Sequence, residues 1–184
     1  MNNQKISVKT AAEGIALLLF IGAYKDSEQI VKEIEDSQKI SPNQTRFGDI
    51  FDEMLHFYLN LADRFSSQYL GEKRNEFFDD LFVQVLKNYI EGQKAAGGNV
   101  DEQIFYRIFN EVQKKRQQEY GQYKFITEKD EGMKGNLFWE FESRLAEIFG
   151  TKDDSLVIMS IHAILMPNIG KLHEVCKKFM DEVA

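Results

Sequence analysis

At 184 residues the chain suits one domain, and with 43% hydrophobic residues it can bury a sizeable core, which excludes global disorder. The net charge is −7 and the densest basic run is only Lys114-Lys115-Arg116, so a nucleic-acid-binding surface is not expected. The single cysteine, Cys176, excludes an intrachain disulfide and a cysteine zinc cage. On an apolar helix stripe it reads as a buried thiol, compatible with a reducing, cytoplasmic setting.

Only two prolines occur, Pro42 and Pro167. A sandwich or barrel of short strands needs more turn punctuation, so long helices are expected. With 15 Phe and 7 Tyr against one Trp, aromatic side chains carry much of the burial.

Six to eight helices follow in chain order, with no convincing strand. The first runs from about Ser7 to Tyr24. Its stretch "IALLLFIGAY" is too short to span a bilayer and reads as a buried helix rather than a signal or an anchor. Asp26, with Gln29 three residues on, is placed to cap a second helix. Pro42 breaks it. The third covers about Gln44 to Leu70, with Phe47, Phe51, Met54, Tyr58, Leu61 and Phe65 on one stripe.

The fourth runs from about Glu72 to Lys94 and ends in "AAGGN". Asn99 and Glu102 suggest a capping box for the fifth, whose apolar face stops after Val112. "QKKRQQE" has no apolar face, so residues 113–120 are expected to project as a polar arm. A mobile loop follows to about residue 136. The sixth helix covers about Asn136 to Phe149. The seventh, "SLVIMSIHAILM", is apolar nearly all round and is ended or kinked by Pro167. The last runs from Asn168 to Val183. The expected fold is therefore an all-α, single-domain bundle over residues 1–184, with apolar helices near 8–24 and 154–166 at its centre.

Glu53-Met54-Leu55-His56 is a Glu-x-x-His sequence, half of the signature of dimetal helical bundles. At roughly 100° per residue, His56 falls opposite the apolar stripe of its helix, on a side shared with Asp49, Asp52, Glu53, Asn60 and Asp63. The pair is therefore expected on a wet face. No second Glu-x-x-His exists to complete a site, so no metal or other cofactor is expected, with Glu53 and His56 as the alternative metal pair.

His162, with Ser160 nearby, lies within an apolar helix. A buried imidazole needs hydrogen-bond partners, or it lines a ligand pocket. His173 reads as a surface residue. Glu140 and Glu142 point roughly 200° apart on one helix and form no dyad. The glycines have neither phosphate-loop spacing. Tyr106, Tyr120 and Tyr123 gather around the polar arm and are candidate interaction residues.

No catalytic signature emerges. The expectation is a non-catalytic, soluble helical module acting through a protein partner or as a homodimer, without a membrane span. The alternatives are a pocket for an apolar small molecule or lipid beside His162, or an enzyme using His162.

Overall fold

Ser7 starts the first helix by accepting a hydrogen bond from Thr10 N–H at 3.0 Å. In the computed structural model, which describes residues 5–41, 43–124 and 135–183, this helix continues as α1, Val8–Gln38. The others are α2 (Gln44–Tyr69), α3 (Arg74–Ala95), α4 (Glu102–Gly121), α5 (Leu137–Ile148) and α6 (Ser155–Asp181). A 3₁₀ turn, Gly71–Lys73, leads into α3. The described residues contain no strand, only a bridge between Ile6 and Val183 that ties the two ends together. The fold is all-α.

Two expected helix breaks do not occur. Asp26 begins no new helix but sits inside α1, where its buried carboxylate accepts from the Tyr58 hydroxyl of α2 and from Asn168 Nδ2 of α6 at 2.7 Å. Burial raises its pKa, and the Tyr58 and Asn168 bonds oppose that rise. Pro167 likewise lies within α6. It lacks an N–H and crowds the carbonyl four residues back. Both Pro167 and Ala163 are on the open side of the helix, so water can solvate that carbonyl. Asn168 Nδ2 also reaches the Ile164 carbonyl at 3.2 Å, which helps hold the turn.

Both apolar segments expected at the centre supply core residues: Ala11, Ile15 and Leu19 from α1, and Val157, Ile161 and Leu165 from α6. The helix covered on all sides is α2. Every residue from Glu53 to Ala62 is buried, and α2 packs against each of the other five helices. The start of α6 is peripheral, with Leu156 71% and Met159 60% exposed. A Cβ at Gly14 of α1 would lie 2.9 Å from the Phe179 ring of α6, so a larger residue there requires that ring to shift.

The loop expected up to residue 136 falls mostly outside the described residues, as does Pro42. The polar arm does not project. Gln113 and Tyr120 are buried and Arg116 is nearly so, because this stretch of α4 lies on α2.

Replacing Leu59, which is fully buried on α2, by alanine is expected to cost about 2–5 kcal/mol. Leu156→Ala should change stability by less than about 0.5 kcal/mol, although hydropathy alone ranks its helix as the greasier. Urea denaturation of the two variants measures the contrast.

Candidate functional site

The polar side of α2 is dry. Glu53 is 6% exposed and His56 4%, so the expectation that they face water is overturned. The polar stretch of α4 and the adjoining side of α5 cover them and supply the partners that burial demands.

Glu53 is the hub. Its Oε2 accepts from Arg116 Nε at 2.9 Å and lies 2.7 Å from Arg116 Nη2. Its Oε1 accepts from the Tyr120 hydroxyl and has Arg144 Nε at 3.6 Å. Both guanidiniums also reach Glu119 Oε2, each at 2.9 Å. Two carboxylates and two arginines therefore alternate, and their charges balance locally. Burial, and then the negative charge of Glu53, raise the Tyr120 phenol well above its ordinary pKa, so it stays a donor. Tyr120 is thus an internal clamp residue rather than an interaction residue.

Arg64 fixes the end of α4. It donates from Nη2 to the Tyr120 carbonyl at 2.6 Å and to the Tyr123 carbonyl at 3.3 Å, while its Nε donates to Asn60 at 3.0 Å. A cation at a helix C-terminus meets the negative end of the dipole and fills otherwise orphaned carbonyls.

His56 stands three residues beyond Glu53. Its Nδ1 lies 2.6 Å from Gln113 Oε1, and its ring lies on Phe109 with centroids 4.4 Å apart. Burial lowers the imidazole pKa, so the ring is neutral near pH 7. Gln113 Nε2 is itself buried without a partner, and the orientation of that amide sets which ring nitrogen of His56 carries the proton. His56 Nε2 bonds no other described residue and is open to the adjoining solvent rather than sealed in.

Beside this clamp lies a cleft of about 460 Å³. Asp49, Asp52, Glu53 and His56 of α2 line one side, and Arg116 and Arg144 close one end. Phe105, Ile108, Phe109 and Val112 of α4 form an apolar wall, with Tyr89 of α3 and Glu147 and Ile148 of α5 completing it. Tyr89 donates its hydroxyl to Asp52 Oδ1 at 2.5 Å. Among the described residues no group of three or more His, Cys, Asp and Glu side chains is placed to hold a metal ion.

The other expected residues lie elsewhere. His162 is half-buried, with Nδ1 2.8 Å from Oε1 of the fully buried Glu142, and it does not line the cleft. Ser160 bonds back to the Leu156 carbonyl at 3.0 Å and borders a shallow groove with Gln29, Glu33 and Pro167. Tyr106 is 44% exposed, while Tyr123 packs partly against the core. His173 is not free on the surface: its Nε2 meets the Tyr69 hydroxyl at 2.9 Å and its ring lies 4.5 Å from that of Phe65.

Sequence reasoning missed the partners Gln113, Arg116, Tyr120 and Arg144. One signal was there to be read. A helical stretch with no apolar face matched a second helix with a buriable polar side. Compared with models of protein families, with curated proteins and with solved structures, the chain matches none.

The Glu142–His162 pair sets a pH response. Burial pushes Glu142 up to about 8 from its usual 4.5, and burial also lowers His162 from 6.5. Folded Glu142 keeps its proton where the unfolded chain has lost it. Its contribution is therefore complete below 4.5 and is lost as pH rises through about 8. His162 acts in the opposite sense, but only below 6.5. Between pH 6.5 and 8 the native protein should lose on the order of 1–2 kcal/mol. Glu142→Gln should flatten that slope, as read from urea midpoints across the interval.

Proposed function

We propose that the chain is a non-catalytic binding module whose site is the cleft between α2, α4 and α5. The observation that carries this reading is His56. A deeply buried imidazole on a cleft wall, with one nitrogen bonded to Gln113 and the other bonded to no described residue, supports a ligand rather than packing alone. The size supports it too, since small-molecule sites are concave, mostly apolar and enclose roughly 300–1,000 Å³. The pocket reading thus moves from His162 to the wall bearing His56.

A thermal-shift screen of small amines, acids and neutral aromatics tests this. Ile108 borders the cleft and is half exposed, so Ile108→Trp fills the mouth without burdening the core. Compounds that raise the melting temperature of the native protein should lose their effect on this variant. Undiminished stabilisation of the variant would place binding elsewhere.

A second reading, self-association, is favoured by the start of α6. Leu156 and Met159 stand open, and from Ser155 to Gly170 the helix carries no Asp, Glu, Lys or Arg. By length and composition alone α6 could also cross a membrane. We place it in the bundle because Asn168 bonds Asp26, and Ile161, Leu165 and Ile169 are buried. Light scattering should show mass rising above one chain with concentration, and Leu156→Glu with Met159→Glu should restore the monomer. A native protein that stays monomeric throughout would retire this reading.

A further inference from the structure

We infer that α5 is a proton-controlled wall of the bundle: a proton held by the Glu142–His162 pair keeps it docked on α6, and loss of that proton loosens it. This goes beyond the cleft reading and stands without a ligand.

α5 is short and its ends can turn. It spans 12 residues, is entered from Gly135 and is left at Gly150. Both glycines take left-handed backbone, with φ of 83° and 77°. Hinge motions are absorbed at such element-terminal positions. Between them α5 packs on α2 and α6, with Phe141 stacked on Phe57 of α2. Polar bonds hold it at two edges. Arg144 reaches Glu119 at the cleft edge, and Glu142 reaches His162 at the α6 edge.

The second of these bonds is conditional. Glu142 is fully buried, and its Oε1 lies 2.8 Å from His162 Nδ1. Its Oε2 is buried with no hydrogen-bond partner. An ionised carboxylate accepts at both oxygens, and this one is served at one. With one dissociable proton the pair is neutral overall, whichever atom carries it. Without that proton a net negative charge stays in the interior beside an oxygen that no donor reaches. Water relieves it when α5 lifts from α6.

Neighbouring charges do not stand in for the missing donor. On α6 no Asp, Glu, Lys or Arg occurs from Ser155 to Gly170, which leaves His162. On α2, Arg46 pairs with Glu35 of α1, and Asp63 with Arg74 of α3. Arg64 holds the end of α4, and Asp49, Asp52, Glu53 and His56 line the cleft. On α5, Arg144 and Glu147 line the cleft too. Arg144 and Glu140 each lie two residues from Glu142, roughly 200° round the helix.

Burial accordingly pushes Glu142 up to about 8. Undocking returns it toward its usual 4.5, so undocking becomes easier as pH rises, up to about 8. Burial lowers His162 from 6.5, which offsets part of this below that pH. The net effect between pH 6.5 and 8 is an opening constant raised about tenfold. Arg144, Glu147 and Ile148 ride on α5, so one wall of the cleft loosens with it.

The full chain carries its own probe. Trp139, the single tryptophan, lies in the first turn of α5 and packs against the core. Acrylamide quenching of Trp139 and amide hydrogen exchange, read as protection factors, are compared at pH 6.5 and pH 8. Quenching should rise with pH. Amides of α5 should be less protected than those of α3, as local opening requires, and should lose a further tenfold. Glu142→Gln should abolish both changes.

Unchanged quenching and α5 protection in the native chain would overturn the inference. So would α5 protection equal to that of α3 at both pH values, since Glu142 would then be exposed only by global unfolding. Persistence of the pH effect in Glu142→Gln would sink it as well. Should that variant not fold, the native measurements decide.

Discussion

A single buried carboxylate organises one side of this protein. Glu53 sits in the middle of the most enclosed helix, where an unpaired charge costs several kcal/mol. Two arginines and a tyrosine reach it from α4 and α5. Apolar contacts tolerate sliding and rotation of one helix on another. A guanidinium clamped on a carboxylate does not, because its bonds are directional and the loss of one partner strands the other. The clamp therefore sets how α4 and α5 are rotated on α2. That rotation lays Phe109 on the His56 ring and leaves a cleft lined by Phe105 and Ile108 of α4 and by Asp49 and Asp52 of α2.

The same device recurs at the other interfaces. Asp26 ties α1 to α2 through Tyr58 and to α6 through Asn168. Glu142 ties α5 to α6 through His162. Glu35 near the end of α1 meets Arg46 in the first turns of α2. Around them the core is apolar and heavily aromatic, with Phe57 stacked on Phe141 at 3.6 Å. The greasy contacts supply most of the driving force. The few buried polar bonds distinguish one arrangement of amphipathic helices from its neighbours in register.

The two open surfaces differ in chemistry. The cleft is concave and mixed, with carboxylates, arginines and His56 beside apolar and aromatic side chains. The start of α6 is convex, uncharged and apolar, suited to a flat contact with another chain. They need not compete, since neither Leu156 nor Met159 lines the cleft. A binding module that also self-associates through α6 would keep its site open.

Much of the architecture was legible in the sequence. Periodic apolar residues gave α2, α3 and α5 nearly to their ends and α4 as far as Val112, because side chains three and four apart must share a face whatever they pack against. The capping signals were less exact. Asp101 caps α4 where Asn99 was expected, and Asp26 caps nothing. A capping side chain serves equally well as a buried acceptor, and only Tyr58 and Asn168 decide which.

The sequence by itself determined that helices form, where most of them run and which stripe of each is apolar, since these follow from local spacing and composition. It did not determine which polar stripes meet water. Glu53 and His56 belong to the polar side of α2, and the stretch from Gln113 to Tyr120 is polar all round. Each alone reads as a solvated surface. Laid against each other they satisfy one another's hydrogen bonds and charges and become interior. Solvation is a property of the pair of surfaces, not of either helix, so only the tertiary structure decided which polar side chains are interior.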